Sequence, residues 1–111
     1  MAKKDYKKTK EYKDIRTSLI SQLEEGKNNT PFFIGLVDDY MKLYIIKNEL
    51  VDDIEDRGVV CKYQNGKDQW GYKRNDSVGE LNKVSAQMLR ILSQLKIQPK
   101  EVIIEDDDEE L

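Results

Sequence analysis

The sequence predicts a mainly α-helical protein with three helices, a β-prone hairpin between the second and the third, a flexible basic N-terminal arm and an acidic C-terminal tail. Apolar residues recur at helical spacing in three segments, one β-prone run contains an Asn-Gly dipeptide, and charge is segregated to the two ends. With 111 residues, 38% apolar and 37% charged, the chain can form one small domain with a lean core. We expect the arm at residues 1–11, a helical oligomerisation domain at 12–98 and the tail at 99–111.

The first predicted helix begins where the lysine-rich start of the chain becomes periodic. Tyr12, Ile15, Leu19 and Leu23 recur at helical spacing, and Gly26 suits a C-terminal cap.

The second predicted helix, from Pro31 to Arg57, is the longest. Thr30 offers a hydroxyl cap, Pro31 has a φ angle already suited to a helix, and Gly58 ends the segment. A helix of this length spans about 40 Å, which is more than so small a domain can cover. We therefore expect its apolar face to contact other copies of the chain, through Phe33, Leu36, Val37, Tyr40, Leu43, Tyr44, Leu50, Val51 and Ile54.

Residues 59–72 change from helical to β-prone composition. Asn65-Gly66 is a strong hairpin signal, and we expect Tyr63 to pair with Trp70 or Tyr72 across the strands. Because an isolated hairpin is marginal in water, it should lean on a helix or on a neighbouring subunit.

The third predicted helix follows Asn75-Asp76, where Ser77 and Glu80 match a capping box, and Pro99 ends it. Its apolar stripe comprises Val78, Leu81, Val84, Met88, Leu89, Ile91, Leu92 and Leu95.

The basic arm is the most informative feature for function. Its basic residues, which can displace counterions from DNA phosphates, are Lys3, Lys4, Lys7, Lys8, Lys10, Lys13 and Arg16. For one isolated chain, a flexible solubilising tail explains this composition equally well. Clustering of identical copies would favour DNA binding, because many weak contacts then add together. A second, weaker candidate patch consists of Lys73, Arg74 and Lys83.

The acidic tail carries three aliphatic residues at its start. It is predicted to dock on a basic partner through Val102, Ile103, Ile104, Asp106, Asp107 and Asp108. Two alternatives remain open: a disordered repellent tail, or a segment that folds back on the lysine arm as a mimic of DNA.

The composition argues against catalysis. The chain has no histidine, which excludes a histidine-based triad, a histidine base and an ordinary zinc site, and it has no glycine-rich phosphate-binding pattern. The acidic pairs of the second helix are interpreted as a solvated face, so we expect no metal, cofactor or small-molecule substrate.

The lone Cys61 is interpreted as a partly buried structural thiol. Without a signal-like or membrane-length apolar run, we expect a cytoplasmic protein that does not contact membranes.

Two stretches of the third predicted helix resemble a known family. They are Ser77-Val78-Gly79-Glu80-Leu81-Asn82-Lys83 and Met88-Leu89-Arg90-Ile91-Leu92-Ser93-Gln94-Leu95-Lys96-Ile97-Gln98-Pro99, preceded by Val37-Asp38-Asp39-Tyr40-Met41, Arg57-Gly58 and Asn65-Gly66. In this order and spacing they resemble the phage and prophage terminase small subunits over about residues 30 to 100. The chain departs from that pattern at Asp76, where proline is usual, and at Lys96, where glycine is usual. Gly79 also weakens the third helix by about 1 kcal/mol relative to alanine.

The resemblance implies a non-catalytic component of DNA packaging in a bacterial host cell. Such proteins form homo-oligomeric rings, engage double-stranded viral DNA, and recruit or regulate the large terminase subunit, which carries the ATPase and the nuclease. One rival hypothesis is a DNA-binding transcription regulator of sigma-factor type, which would need a compact helix-turn-helix. Another is a structural interaction protein that does not bind DNA.

Overall fold

A computed structural model describes residues 4–64 and 66–97. The elements are α1 (Lys10–Glu25), α2 (Pro31–Arg57), β1 (Val60–Gln64), β2 (Trp70–Arg74) and α3 (Asp76–Leu95), and a short 3-10 turn, Tyr6–Lys8, precedes α1. The two strands pair antiparallel. The predicted order of three helices, with a hairpin between the second and the third, is therefore confirmed. The tail residues predicted to dock on a partner lie outside the described residues.

The core lies where the three helices meet, beside the N-terminal half of α2. α2 packs most extensively on α3, and α1 packs on α2. The buried side chains recur three, four or seven residues apart on each helix, so they lie on one face of it: Leu19, Leu23, Val37, Met41, Tyr44, Met88 and Leu95. Burying one such side chain contributes roughly 1.5–3 kcal/mol. Leu50, Val51 and Ile54, further along α2, are half-buried and lie outside this cluster.

The helix starts differ in detail from the sequence prediction. Thr30 precedes α2, but its hydroxyl makes no capping hydrogen bond, and Pro31 occupies the first turn. At α3 the predicted capping box is wrong, because Asn75 is the cap: its Oδ1 accepts a hydrogen bond from the Ser77 backbone N–H at 2.9 Å. Asparagine caps a helix as well as serine does, which leaves the Ser77 hydroxyl available for another partner.

Two helices end with a lysine in the left-handed conformation. After α1, Gly26 is the C-cap with φ −84°, and the next residue, Lys27, has φ 60°. After α3, Lys96 has φ 59°, and the Ile97 N–H donates to the Leu92 carbonyl at 3.3 Å. Left-handed φ is unfavourable for residues with a Cβ, so both ends store a small backbone strain that glycine would relieve.

The register of the hairpin differs from the predicted aromatic pairing. Tyr63 lies opposite Gly71, and Trp70 lies opposite Gln64. The Tyr63 ring covers Gly71 so closely that a Cβ at that position would lie 2.9 Å from the ring. Five residues connect the strands, whereas a turn centred on the Asn-Gly dipeptide alone would have used two. Because side chains alternate between faces, this register puts Tyr63 on the face opposite Trp70 and Tyr72.

Candidate nucleic-acid interface

The described part of the N-terminal arm is held against α2. Tyr6 is buried, with 7% of its surface exposed, and its hydroxyl donates a hydrogen bond to Asp52. Asp5 caps the 3-10 turn through the Lys7 N–H at 3.1 Å, and the Thr9 hydroxyl caps α1. From Asp5 onwards, the segment predicted as a flexible arm contains a 3-10 turn and the start of α1, and the Tyr6 ring supplies both an apolar anchor and a donor.

A second tyrosine ties α1 to α2. The hydroxyl of the buried Tyr44 donates to Glu11, and its ring lies 5.9 Å from the ring of Tyr12. Burial, aided by this hydrogen bond, raises the pKa of Tyr44 to about 12. The hydrogen bond to Asp52, aided by burial, raises the pKa of Tyr6 to about 12. Both phenols are thus neutral donors at cellular pH, and both fasten the basic segment in place.

Five of the seven predicted DNA-binding residues in this segment are exposed lysines on that fixed scaffold. They are Lys4, Lys7, Lys8, Lys10 and Lys13. The Lys4 ammonium lies 5.2 Å from the centre of the Tyr6 ring. Arg16 differs from them, because it is half-buried and forms an ion pair with Asp38 on α2 at 3.1 Å. Lys3 lies outside the described residues.

The second predicted patch is divided by the fold. Lys73 and Arg74 are neighbours in β2 and belong to opposite faces of the hairpin. The Lys73 ammonium lies 5.9 Å from the Tyr63 ring, and the Arg74 guanidinium reaches over Gly79 on α3. Lys83 forms an ion pair with Glu80 at 3.2 Å. These cations therefore do not form the single patch that the sequence suggested.

A polar cluster that the sequence reasoning missed fixes the hairpin to the helices. We call Asp53, Arg57, Asn75 and Ser77 the Asp53 cluster. Arg57 donates to both carboxylate oxygens of Asp53, at 2.7 and 2.8 Å, and the Ser77 hydroxyl donates to the same carboxylate at 2.6 Å. The Asn75 amide adds a fourth donor at 3.1 Å. The sequence offered one local signal, the i,i+4 spacing of Asp53 and Arg57.

Asn75 is the centre of this cluster and is fully buried. Its amide also donates to the Gly58 carbonyl at 3.0 Å, and its backbone N–H donates to the Val59 carbonyl at 2.6 Å. Arg57, with the further donors, holds the pKa of Asp53 well below its usual range. The free thiol of Cys61 is buried, as predicted, with the Arg57 guanidinium 3.9 Å away. The cluster therefore joins the end of α2, the base of the hairpin and the start of α3.

A known protein family matches most of this chain. The family model described as "Phage terminase, small subunit" matches residues 13–102. The chain belongs to the phage terminase small subunit family. No curated protein and no solved structure matches it. Family membership assigns the chain a role in phage DNA packaging, in agreement with the resemblance described above.

The matched range starts after most of the basic arm. The five exposed lysines of this terminase small subunit are at or before Lys13, so the match contains only the last of them. It also ends before Ile103, within the segment predicted to dock on a partner. The roles assigned to these end segments therefore depend on their own residues.

The residues predicted to mediate oligomerisation fall into three groups. Val37 and Tyr44 are buried in the core of a single chain, which accounts for their apolar character without a second copy. Four others are half-buried against that core: Phe33, Leu36, Tyr40 and Leu43. Leu50, Val51 and Ile54 are half-buried and lie outside the core.

In residues 4–64 and 66–97, no group of three or more acidic, histidine or cysteine side chains is placed to hold a metal ion. None of the helices in these residues combines the length and the apolar character needed to span a bilayer.

Proposed function

We propose that this terminase small subunit is a non-catalytic, self-assembling protein that binds double-stranded viral DNA through its basic arm and recruits or regulates the large terminase subunit. The observation that carries the proposal is the fixed placement of five exposed lysines by the two tyrosine–carboxylate hydrogen bonds, from Tyr6 to Asp52 and from Tyr44 to Glu11. Cations on a pre-organised scaffold lose less conformational freedom on binding than cations on a free tail.

Self-association has support in the surface of α2. Leu43, Ile46 and Ile91 line an open groove of about 500 Å³ between α2 and α3, and Ile46 is 43% exposed. The half-buried Leu50, Val51 and Ile54 continue the apolar surface along α2. A second copy that covers these residues would remove apolar area from water, which contributes about 25 cal/mol per Å². Clustering also multiplies the lysine contacts to one DNA molecule.

Salt-dependent DNA binding tests the arm. Binding of a labelled duplex should weaken steeply between about 50 and 200 mM salt, because the slope of log K against log salt is about −0.9 for each phosphate contacted. The double variant Lys7→Gln/Lys8→Gln should bind more weakly and with a shallower slope. Lys47→Gln, an exposed change on α2 outside the groove, is the matched control and should behave as the wild type. Equal slopes for both variants would refute the role of the arm.

Assembly and partner recruitment need separate measurements. Size-exclusion chromatography with light scattering should give one large discrete oligomer, and Leu50→Asp should dissociate it. A monomer or dimer would instead favour the transcription-regulator hypothesis. Pull-down of the large subunit by chains with and without residues 101–111 tests the tail; equal recovery would remove the tail from the proposal.

A further inference from the structure

The outer face of the hairpin is exposed and combines aromatic with basic side chains. The register pairs Val60 with Arg74, Lys62 with Tyr72 and Gln64 with Trp70, so these six alternate residues share one face. Tyr72 is 73% exposed and Trp70 is 57% exposed. The other face differs: Cys61 is buried there, and the Tyr63 ring covers Gly71. Aromatic residues carry large apolar surfaces, so two of them side by side in water indicate a binding surface.

The charge of the hairpin has the opposite sign to that of the whole chain. The chain carries a net charge of −3, yet residues 59–74 contain three lysines and one arginine against a single acid, Asp68. The outer face has two cations, Lys62 and Arg74, and no carboxylate. The Lys62 ammonium lies 4.5 Å from the centre of the Trp70 ring, so a cation already covers part of the aromatic surface. A polyanion is the ligand whose charge complements this face.

We propose that the outer face of the hairpin binds single-stranded nucleic acid, at a site distinct from the lysine arm. Bases stack on Trp70 and Tyr72, while the exposed Lys62 holds a flanking phosphate. Trp70 and Tyr72 are two residues apart on one strand, so their rings are about 6.6 Å apart along the ribbon. This separation is roughly twice the 3.4 Å rise between stacked bases. The pair therefore fits a strand whose bases have been drawn apart, whereas in a duplex the base faces are already covered.

The composition of the face favours a nucleic acid over a protein partner. Lysine is depleted in protein–protein interfaces, whose centres lose charge, while here a lysine covers the central tryptophan. Val60 is the only aliphatic residue on the face. Aromatic rings interleaved with cations are the arrangement that binds single strands without sequence preference. The Asp53 cluster fixes the base of the hairpin to the helices, and Lys62, Trp70 and Tyr72 on the outer face are exposed.

The chain contains one tryptophan, so its emission reports directly on the site. Oligothymidylate of about 20 nucleotides, titrated into the full chain, should quench Trp70 fluorescence to saturation, and a matched duplex should quench it far less. Tyr72→Ala should weaken binding about tenfold or more, since stacking on one ring is worth about 1–3 kcal/mol per base, and Tyr72→Phe should restore it. Phe32→Ala removes an aromatic residue that is 69% exposed on α2, and it should leave binding unchanged.

The outcomes separate this proposal from that for the arm. Lys7→Gln/Lys8→Gln should lose duplex affinity and keep the quenching by oligothymidylate. Absence of quenching, equal quenching by duplex, or an unchanged affinity in a folded Tyr72→Ala chain would each refute the hairpin site. An emission that changes with protein concentration, and not with oligothymidylate, would assign the face to contacts between copies and would also overturn the proposal. Circular dichroism at 222 nm verifies that each variant is folded.

Discussion

Replacement of Asn75 by alanine tests whether the Asp53 cluster holds the fold together. Asn75 is the fully buried polar residue of this cluster, and its side chain makes four hydrogen bonds. Two of these bonds have backbone partners: the amide donates to the Gly58 carbonyl, and Oδ1 accepts from the Ser77 N–H. Alanine removes all four bonds and adds none.

The magnitude follows from the two backbone partners. Loss of an N-cap asparagine costs about 1 kcal/mol. A partly buried carbonyl left without its donor, here that of Gly58, costs a further 1–2 kcal/mol or so. The bonds to Asp53 and Arg57 add little, because these two side chains are partly exposed and still pair with each other. We therefore expect Asn75→Ala to lower the free energy of unfolding by about 2–3 kcal/mol, or roughly 30- to 150-fold in the equilibrium constant.

Urea unfolding, followed by circular dichroism at 222 nm, measures this change. All variants must be compared at one protein concentration, because self-assembly makes stability depend on concentration. The matched control is Asn48→Ala, which removes a half-buried asparagine whose amide donates to the Tyr44 carbonyl within the same helix, and it should cost less than about 0.5 kcal/mol. If Asn75→Ala proved as mild as Asn48→Ala, the cluster would not stabilise the junction of α2, the hairpin and α3.

Two further changes test the helix ends and the tyrosine contacts. Lys96→Gly should stabilise the protein by about 0.5–1 kcal/mol, because glycine relieves the strain of a left-handed φ. Lys42→Gly, within α2, is the control and should destabilise the protein by about 1 kcal/mol. Urea midpoints that move in the same direction for both variants would contradict this prediction. The pKa values of Tyr6 and Tyr44 are raised to about 12 in the folded chain, whereas phenols in an unfolded chain ionise near pH 10. The two tyrosines therefore contribute fully to stability below about pH 10, and this contribution is lost between about pH 10 and 12. Titration of absorbance at 295 nm should show these two phenols ionising late, and Tyr6→Phe/Tyr44→Phe should abolish the late phase.

The helices could be predicted from the sequence because their signals are local and repeated. The bounds of α2, Pro31 and Arg57, agree with the prediction, since proline at the start and glycine after the end act within a few residues. The register of the hairpin could not be predicted in the same way. It depends on how many residues the connection contains, and the Asn-Gly dipeptide does not fix that number.

The candidate site was less predictable, because its contacts join distant parts of the chain. Tyr6 reaches Asp52, 46 residues away, and Ser77 reaches Asp53, 24 residues away. No periodicity encodes such pairs. The many lysines around Tyr6 predict a solvated arm. The Tyr6 ring, which anchors this segment to α2, belongs to no repeated pattern in the sequence. Arg16 was grouped with the lysines by charge, although its partner Asp38 was visible only in the fold.

Mutations can change stability and ligand binding separately in this chain, because the two properties depend on different parts of the hairpin. A two-stranded hairpin is marginal alone, and here the Asp53 cluster attaches its base to the helices while the aromatic side chains of its outer face are exposed. Tyr72→Ala should therefore change the affinity for oligothymidylate at almost constant stability, since a residue that is 73% exposed loses little on truncation. Asn75→Ala should lower stability and, while the chain remains folded, leave the chemistry of the face intact. Equal losses of stability in the two variants would show that the outer face also stabilises the fold, and the separation would fail.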